Sequence, residues 1–137
     1  AAMEGDYAEI DVGKLAQEKG TSQAVKDLGA KLVQDHSAHL DKAKQVATQV
    51  GVKDPGGASV MEKANYLKLK VLSGSTFDRT FAKDMVSDHK KDIDEYRKEA
   101  AKNDPVGHLA KETIPTLEEH LKIAQSTRQQ TQTTGSK

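Results

Sequence analysis

The stretch 25–51, VKDLGAKLVQDHSAHLDKAKQVATQVG, decides the architecture of this chain. Within it Val25, Leu28, Leu32, His36, Leu40, Ala43 and Ala47 recur every three or four residues, which is the period of one face of an α-helix. Gly51 follows the last of them, and glycine adopts the left-handed backbone angles that end helices. Thr21 or Ser22 stands in front as the cap.

The same period extends in both directions. Upstream, Met3, Tyr7, Ile10, Leu15 and Ala16 mark a first helix that stops near Gly20. Downstream, Asp54-Pro55-Gly56-Gly57 breaks the chain, and residues 59–73 carry a shorter pattern through Val60, Ala64, Leu67 and Val71. Ser75-x-x-Asp78 reads as a capping box for a helix striped with Phe77, Phe81, Met85, His89, Ile93, Tyr96 and Ala100. Asn103-Asp104-Pro105 then stops and restarts the chain, with Asp104 as N-cap and Pro105 in the first turn. The last helix runs through Leu109, Thr113, Leu117, His120, Leu121 and Ala124, and Pro115 inside it is expected to kink it. From Thr127 the apolar period is lost, which predicts one domain over residues 1–126 and a polar, disordered tail over 127–137.

Two of the connections between long helices are very short, so each joins an antiparallel hairpin. The third is long and contains its own short helix, enough to cross the length of the bundle. The expectation is an all-α, ferritin-like four-helix bundle with an accessory helix in the crossover between the second and third long helices.

Composition agrees and excludes several functions. Of 137 residues, 35 % are hydrophobic, 31 % charged and only 4 % aromatic, the profile of a helical bundle. Twenty-one Lys and Arg balance 21 Asp and Glu, so no net field draws nucleic acid or an acidic membrane, and Lys63, Lys68 and Lys70 read as solvated faces. No apolar run approaches the roughly 20 residues of a membrane span. The absence of cysteine removes thiolate chemistry and Cys-based metal sites. No phosphate loop, nucleophile elbow or other catalytic motif is present. The first residues, Ala1-Ala2-Met3-Glu4, are already helix-like, which suggests a mature product from which a signal peptide was removed.

The chemistry lies in three histidines on three apolar stripes. His36, His89 and His120 each follow a carboxylate, Asp35, Asp88 and Glu119. Counted from the turns at about 1.5 Å per residue, all three fall at similar depth. Asp6 on the first helix is level with His36, and Glu9 lies less than a turn nearer the loop, on a face with Val12, Gly13 and Ala16 whose small side chains admit a close neighbour. An internal echo, Val33-x-Asp35-His36-x-x-x-Leu40-Asp41 against Val86-x-Asp88-His89-x-x-x-Ile93-Asp94, repeats the pattern on two helices. A residue at i−1 points about 100° from its histidine and reaches the neighbouring helix instead. Asp35, Asp88 and Glu119 are therefore expected to orient imidazoles across helix boundaries.

Three imidazoles at one level in an aliphatic core suit a transition metal ion, with zinc, iron or copper the candidates and calcium and magnesium disfavoured. A di-iron site is also disfavoured, because no helix carries Glu-x-x-His. His39, three residues after His36, is read as a boundary residue and His108 as exposed, while Met85 is a thioether one turn before His89. The rival reading satisfies the imidazoles in a metal-free polar network of a structural or interaction module. A mononuclear metalloenzyme is a further reading that would need an open coordination position.

Glu9-x-x-x-Gly13-Lys14-Leu15-Ala16, Val33-x-Asp35-His36, Phe77-Asp78-Arg79-x-Phe81 with His89, and Pro115-x-Leu117-x-x-His120-Leu121-x-x-Ala124 together resemble a bacterial envelope family. It is catalogued as domain of unknown function 4142, and the resemblance covers all but the polar tail. It implies a ferritin-like fold, a periplasmic or secreted protein made with a signal sequence, and a first helix that begins upstream of Ala1. It also implies metal ligands at Glu9, His36, His89 and His120, with no settled activity; the sequence does not name a protein partner.

Overall fold

The structure, a computed structural model, describes the backbone of residues 2–135 and the side chains as far as residue 132. Five helices follow one another: α1 (Ala2–Lys19), α2 (Gln23–Val50), α3 (Val60–Lys70), α4 (Gly74–Ala100) and α5 (Pro105–Gly135). No strand occurs among the described residues, so the protein is all-α.

The α1–α2 turn is tight. The Gly20 amide donates to the Ala16 carbonyl at 2.8 Å, and the Ser22 hydroxyl accepts from the Val25 amide at 3.2 Å. Gly13 meets Gly29 where the two helices cross. A Cβ on Gly13 would lie 2.7 Å from the Gly29 carbonyl oxygen, and one on Gly29 would lie 2.6 Å from that of Gly13. Only glycine allows backbones this close. Gly51 ends α2 at φ 75, the left-handed value expected of it.

Three local expectations are corrected. Asp78 does not cap its own helix: α4 starts after Ser73 with no side-chain cap bond. The buried Asp78 carboxylate instead accepts from the Thr21 and Ser22 amides, each at 2.9 Å. The first amides of a helix have no partner within it, and the start of α2 takes its acceptor from α4. The capping box belongs to α3, where the Ser59 hydroxyl accepts from the Glu62 amide at 3.2 Å and the Glu62 carboxylate from the Ser59 amide at 3.0 Å. Second, the α3 stripe of Val60, Leu67 and Val71 faces out, while Leu69 is the residue that enters the core. Third, α5 does not stop at Thr127. It continues to Gly135, with Thr127 and Thr131 buried and their hydroxyls donating to the carbonyls of Ile123 and Arg128, while residues 136–137 of the expected tail lie outside the described residues. Hydroxyls bound to the preceding turn let threonine sit in a helix without an apolar period.

Asp104 does cap α5, its carboxylate accepting from the Gly107 amide at 2.7 Å, and the helix runs on through Pro115. α1 packs on α2, α4 on α5, and α2 on α5, while α3 rests on α1 and α4. One core cluster includes Leu15, Val25, Leu28, Leu32, Leu69, Phe77, Phe81 and Met85. A second, smaller cluster holds Met3, Leu40, Ala43 and Ala47. The histidines belong to neither cluster, and no described helix is long and apolar enough to cross a membrane.

Candidate metal centre

Each histidine enters the core from a helix already accounted for, and each has one ring nitrogen fixed by a partner. The Nδ1–H of His36 donates to Asp6 Oδ1 at 2.8 Å. The Nδ1–H of His89 donates to its own Met85 carbonyl at 2.7 Å. The Nε2–H of His120 donates to Asp35 Oδ2, across the α2–α5 boundary, at 2.7 Å. A carbonyl or carboxylate oxygen accepts only, so these bonds set the tautomer and leave a lone pair on the other nitrogen.

Those other nitrogens, His36 Nε2, His89 Nε2 and His120 Nδ1, are buried and have no hydrogen-bond partner among the described residues. The rings stand close, with centroids 6.2 Å apart for His36 and His89 and 5.4 Å apart for each of them and His120. One donor nitrogen from each lies within 4.8 Å of the other two. Burial first, then the like-charged His120 and His36, pull His89 down to about 4, against the raising effect of the Met85 carbonyl. Burial also lowers His120, although the Asp35 bond works the other way. Neutral imidazoles are the form a metal ion takes up.

The partners differ in detail from the sequence reading. Asp6 serves two rings, since its Oδ2 also accepts from His39 Nδ1 at 2.6 Å. His39 is buried with Nε2 unpartnered, yet it lies outside the close-set trio and packs against Tyr96 with ring centroids 5.8 Å apart. Asp35 also pairs with Lys31 at 3.3 Å; burial works to raise its carboxyl, but the bonds from His120 and Lys31 hold it below the usual value. Glu119 is exposed and pairs with Lys31 at 2.9 Å, reaching no imidazole. Met85 is buried, and its carbonyl accepts from His89. His108 is exposed and bonds Asn103.

Glu9 and Asp88 go elsewhere. Glu9 is buried on α1, its Oε2 has no partner, and it is not one of the close-set trio. Burial and then the charges of Asp88, Asp92, Glu62 and Asp6 hold its carboxyl well above the usual range. Asp88 is pushed up to about 6, by burial and then by Asp84 and Glu62. Asp92 is pushed up to about 7, by burial and then by Asp88, Glu95 and Glu62. The signal was in the sequence as Asp84, Asp88 and Asp92, spaced by four on one face of α4.

These features define an all-α protein with a buried tri-histidine cluster between three of its helices. The chain belongs to the family described as a domain of unknown function, DUF4142, whose model matches residues 1–127. No curated protein and no solved structure matches it.

Proposed function

We propose that this chain binds one transition metal ion, zinc, copper or iron, through His36, His89 and His120, in the core of a ferritin-like four-helix bundle outside the cytoplasm. Its role there is to buffer, carry or sense the metal. The location rests on the likeness to a bacterial envelope family. The metal reading rests on one cluster: three buried imidazoles bring one nitrogen each within 4.8 Å of the others, and each ring keeps one buried nitrogen without a hydrogen-bond partner among the described residues.

A self-sufficient polar network, the rival reading, would pair those nitrogens with each other or with neighbouring hydroxyls. Unmet, each costs roughly 1–3 kcal/mol. His36, His89 and His120 would hold such an ion by their ring nitrogens, and the ion would supply Lewis acidity there. Nitrogens within 4.8 Å of one another are close enough to be considered for metal–nitrogen bonds of about 2.0–2.1 Å. Asp6, Asp35 and the Met85 carbonyl hold the rings, as outer-shell partners do. Glu9 stands outside this set as it is placed.

The test is metal uptake by untagged, chelator-stripped protein titrated with zinc, copper and ferrous iron. Wild type should take up one equivalent of at least one metal, and His89→Ala should bind it at least a hundredfold more weakly. His89→Gln replaces it if the alanine variant loses its helical circular dichroism. Equal, negligible uptake by wild type and variant would overturn the reading.

A further inference from the structure

α3 carries an apolar stripe that the fold leaves uncovered. At 3.6 residues per turn, Val60, Ala64, Leu67 and Val71 fall within about 60° of one another. Val60 is 85 % exposed, Leu67 59 % and Val71 81 %, with Met61 beside them at 84 %. The opposite side of the helix is settled by its contacts. Leu69 lies in the core with no exposed surface, and Tyr66 and Leu72 pack on the same cluster. Glu62 turns toward α1, its Oε2 4.0 Å from where a Gly5 Cβ would stand. α3 is therefore apolar on two sides, and the core covers one.

The charges around the outer stripe are one-sided. By the same helical count Lys63 and Lys70 border one edge and Lys68 the other, and all three are exposed. Lys19 of α1 adds a fourth ammonium at that end, bonded to the Lys70 carbonyl at 2.7 Å. Glu62 is the one carboxylate of α3, and it lies on the core side. Asp84 of α4, near Lys68, offsets part of this charge. Aliphatic side chains edged by lysines, whose stems extend the apolar surface while their heads stay wet, suit the boundary between acyl chains and headgroups.

We infer that α3 docks this protein peripherally on an anionic phospholipid surface, with Val60, Met61, Leu67 and Val71 among the outer acyl carbons and Lys63, Lys68 and Lys70 against lipid phosphates. A second copy of the chain fits less well, because stripe against stripe would set lysines against lysines. The inference does not rest on the metal reading.

Sedimentation with vesicles tests it, using phosphatidylcholine–phosphatidylglycerol mixtures and phosphatidylcholine alone. Wild type should pellet with the anionic vesicles, weakly or not at all with the neutral ones, and less as salt rises. Each lysine near an anionic surface is worth roughly fivefold in partitioning, so Lys63→Gln/Lys68→Gln/Lys70→Gln should lower binding by about a hundredfold. Leu67→Glu/Val71→Glu should abolish it with circular dichroism unchanged, since both side chains already face solvent. Three results would overturn the inference: wild type left in the supernatant with both vesicles, undiminished binding by Leu67→Glu/Val71→Glu, or light scattering showing a dimer that this variant returns to monomer.

Discussion

Asp6 does the most work of any single residue at the site. One carboxylate, buried on α1, accepts from His36 and from His39 and thereby fixes two tautomers. Depth counting from the α1–α2 turn placed Asp6 level with His36, because an antiparallel hairpin pairs residues at equal distance from its loop. It could not say which way the side chain turned, and the resemblance pointed to Glu9 instead. The structure separates the two: Asp6 bonds two imidazoles, while Glu9 is buried outside the trio, within reach of the charges of other carboxylates. Asp6→Asn keeps the shape but offers one acceptor oxygen and an NH2 group that faces a donor. It should weaken metal binding by about 10–100-fold, the usual cost of losing an outer-shell partner. The same titration that tests His89→Ala measures this, and unchanged affinity would leave Asp6 with a packing role alone.

The elements show what was legible and why the rest was not. Helix positions and both hairpins could be read because period and breaker agree: Gly51 closes α2 and Asp104-Pro105 opens α5. His36, His89 and His120 could be found because equal counts from short turns bring them level. The outward turn of α3 could not be read, since a period tells that a helix has an apolar face but not whether anything covers it. Nor could the partner of Asp78, because a capping motif written locally was used across the fold. The acidic face of α4 gives a pH prediction. Asp88 and Asp92 are raised to about 6 and about 7, so the folded state binds more protons than the unfolded chain above a normal carboxylate value. Their contribution is intact below about 4 and is lost as pH rises through 6 to 7. Asp92→Asn removes that loss. It should stabilise the protein by about 1–2 kcal/mol at pH 8, discounted for the residue's partial exposure, and by little at pH 4. Urea denaturation at the two pH values measures it, and an equal effect at both would refute the assignment.

At the scale of the whole molecule, the chain is two hairpins, α1–α2 and α4–α5, joined mainly where α2 meets α5. That seam contains the His120–Asp35 bond and the His trio, with one histidine from α2 and two from the other hairpin. A metal at the trio would tie one hairpin to the other, so its binding energy should appear as stability of the whole bundle and not of one helix. Ligand that binds only the folded state adds about 2.7 kcal/mol at 100 times its dissociation constant. For a domain of this size that corresponds to a rise in Tm of roughly 5–15 °C. His36→Ala leaves His89 and His120, both on the α4–α5 hairpin, and cuts the link to α2. Having lost one of three nitrogens it should bind more weakly, so at the metal concentration that shifts wild type its Tm should rise by no more than about 2 °C. Thermal unfolding of both proteins with and without the metal that wild type prefers decides the matter. An equal rise in wild type and His36→Ala would mean that the ion sits within one hairpin, and that the seam owes its cohesion to packing and the Asp35 bond alone.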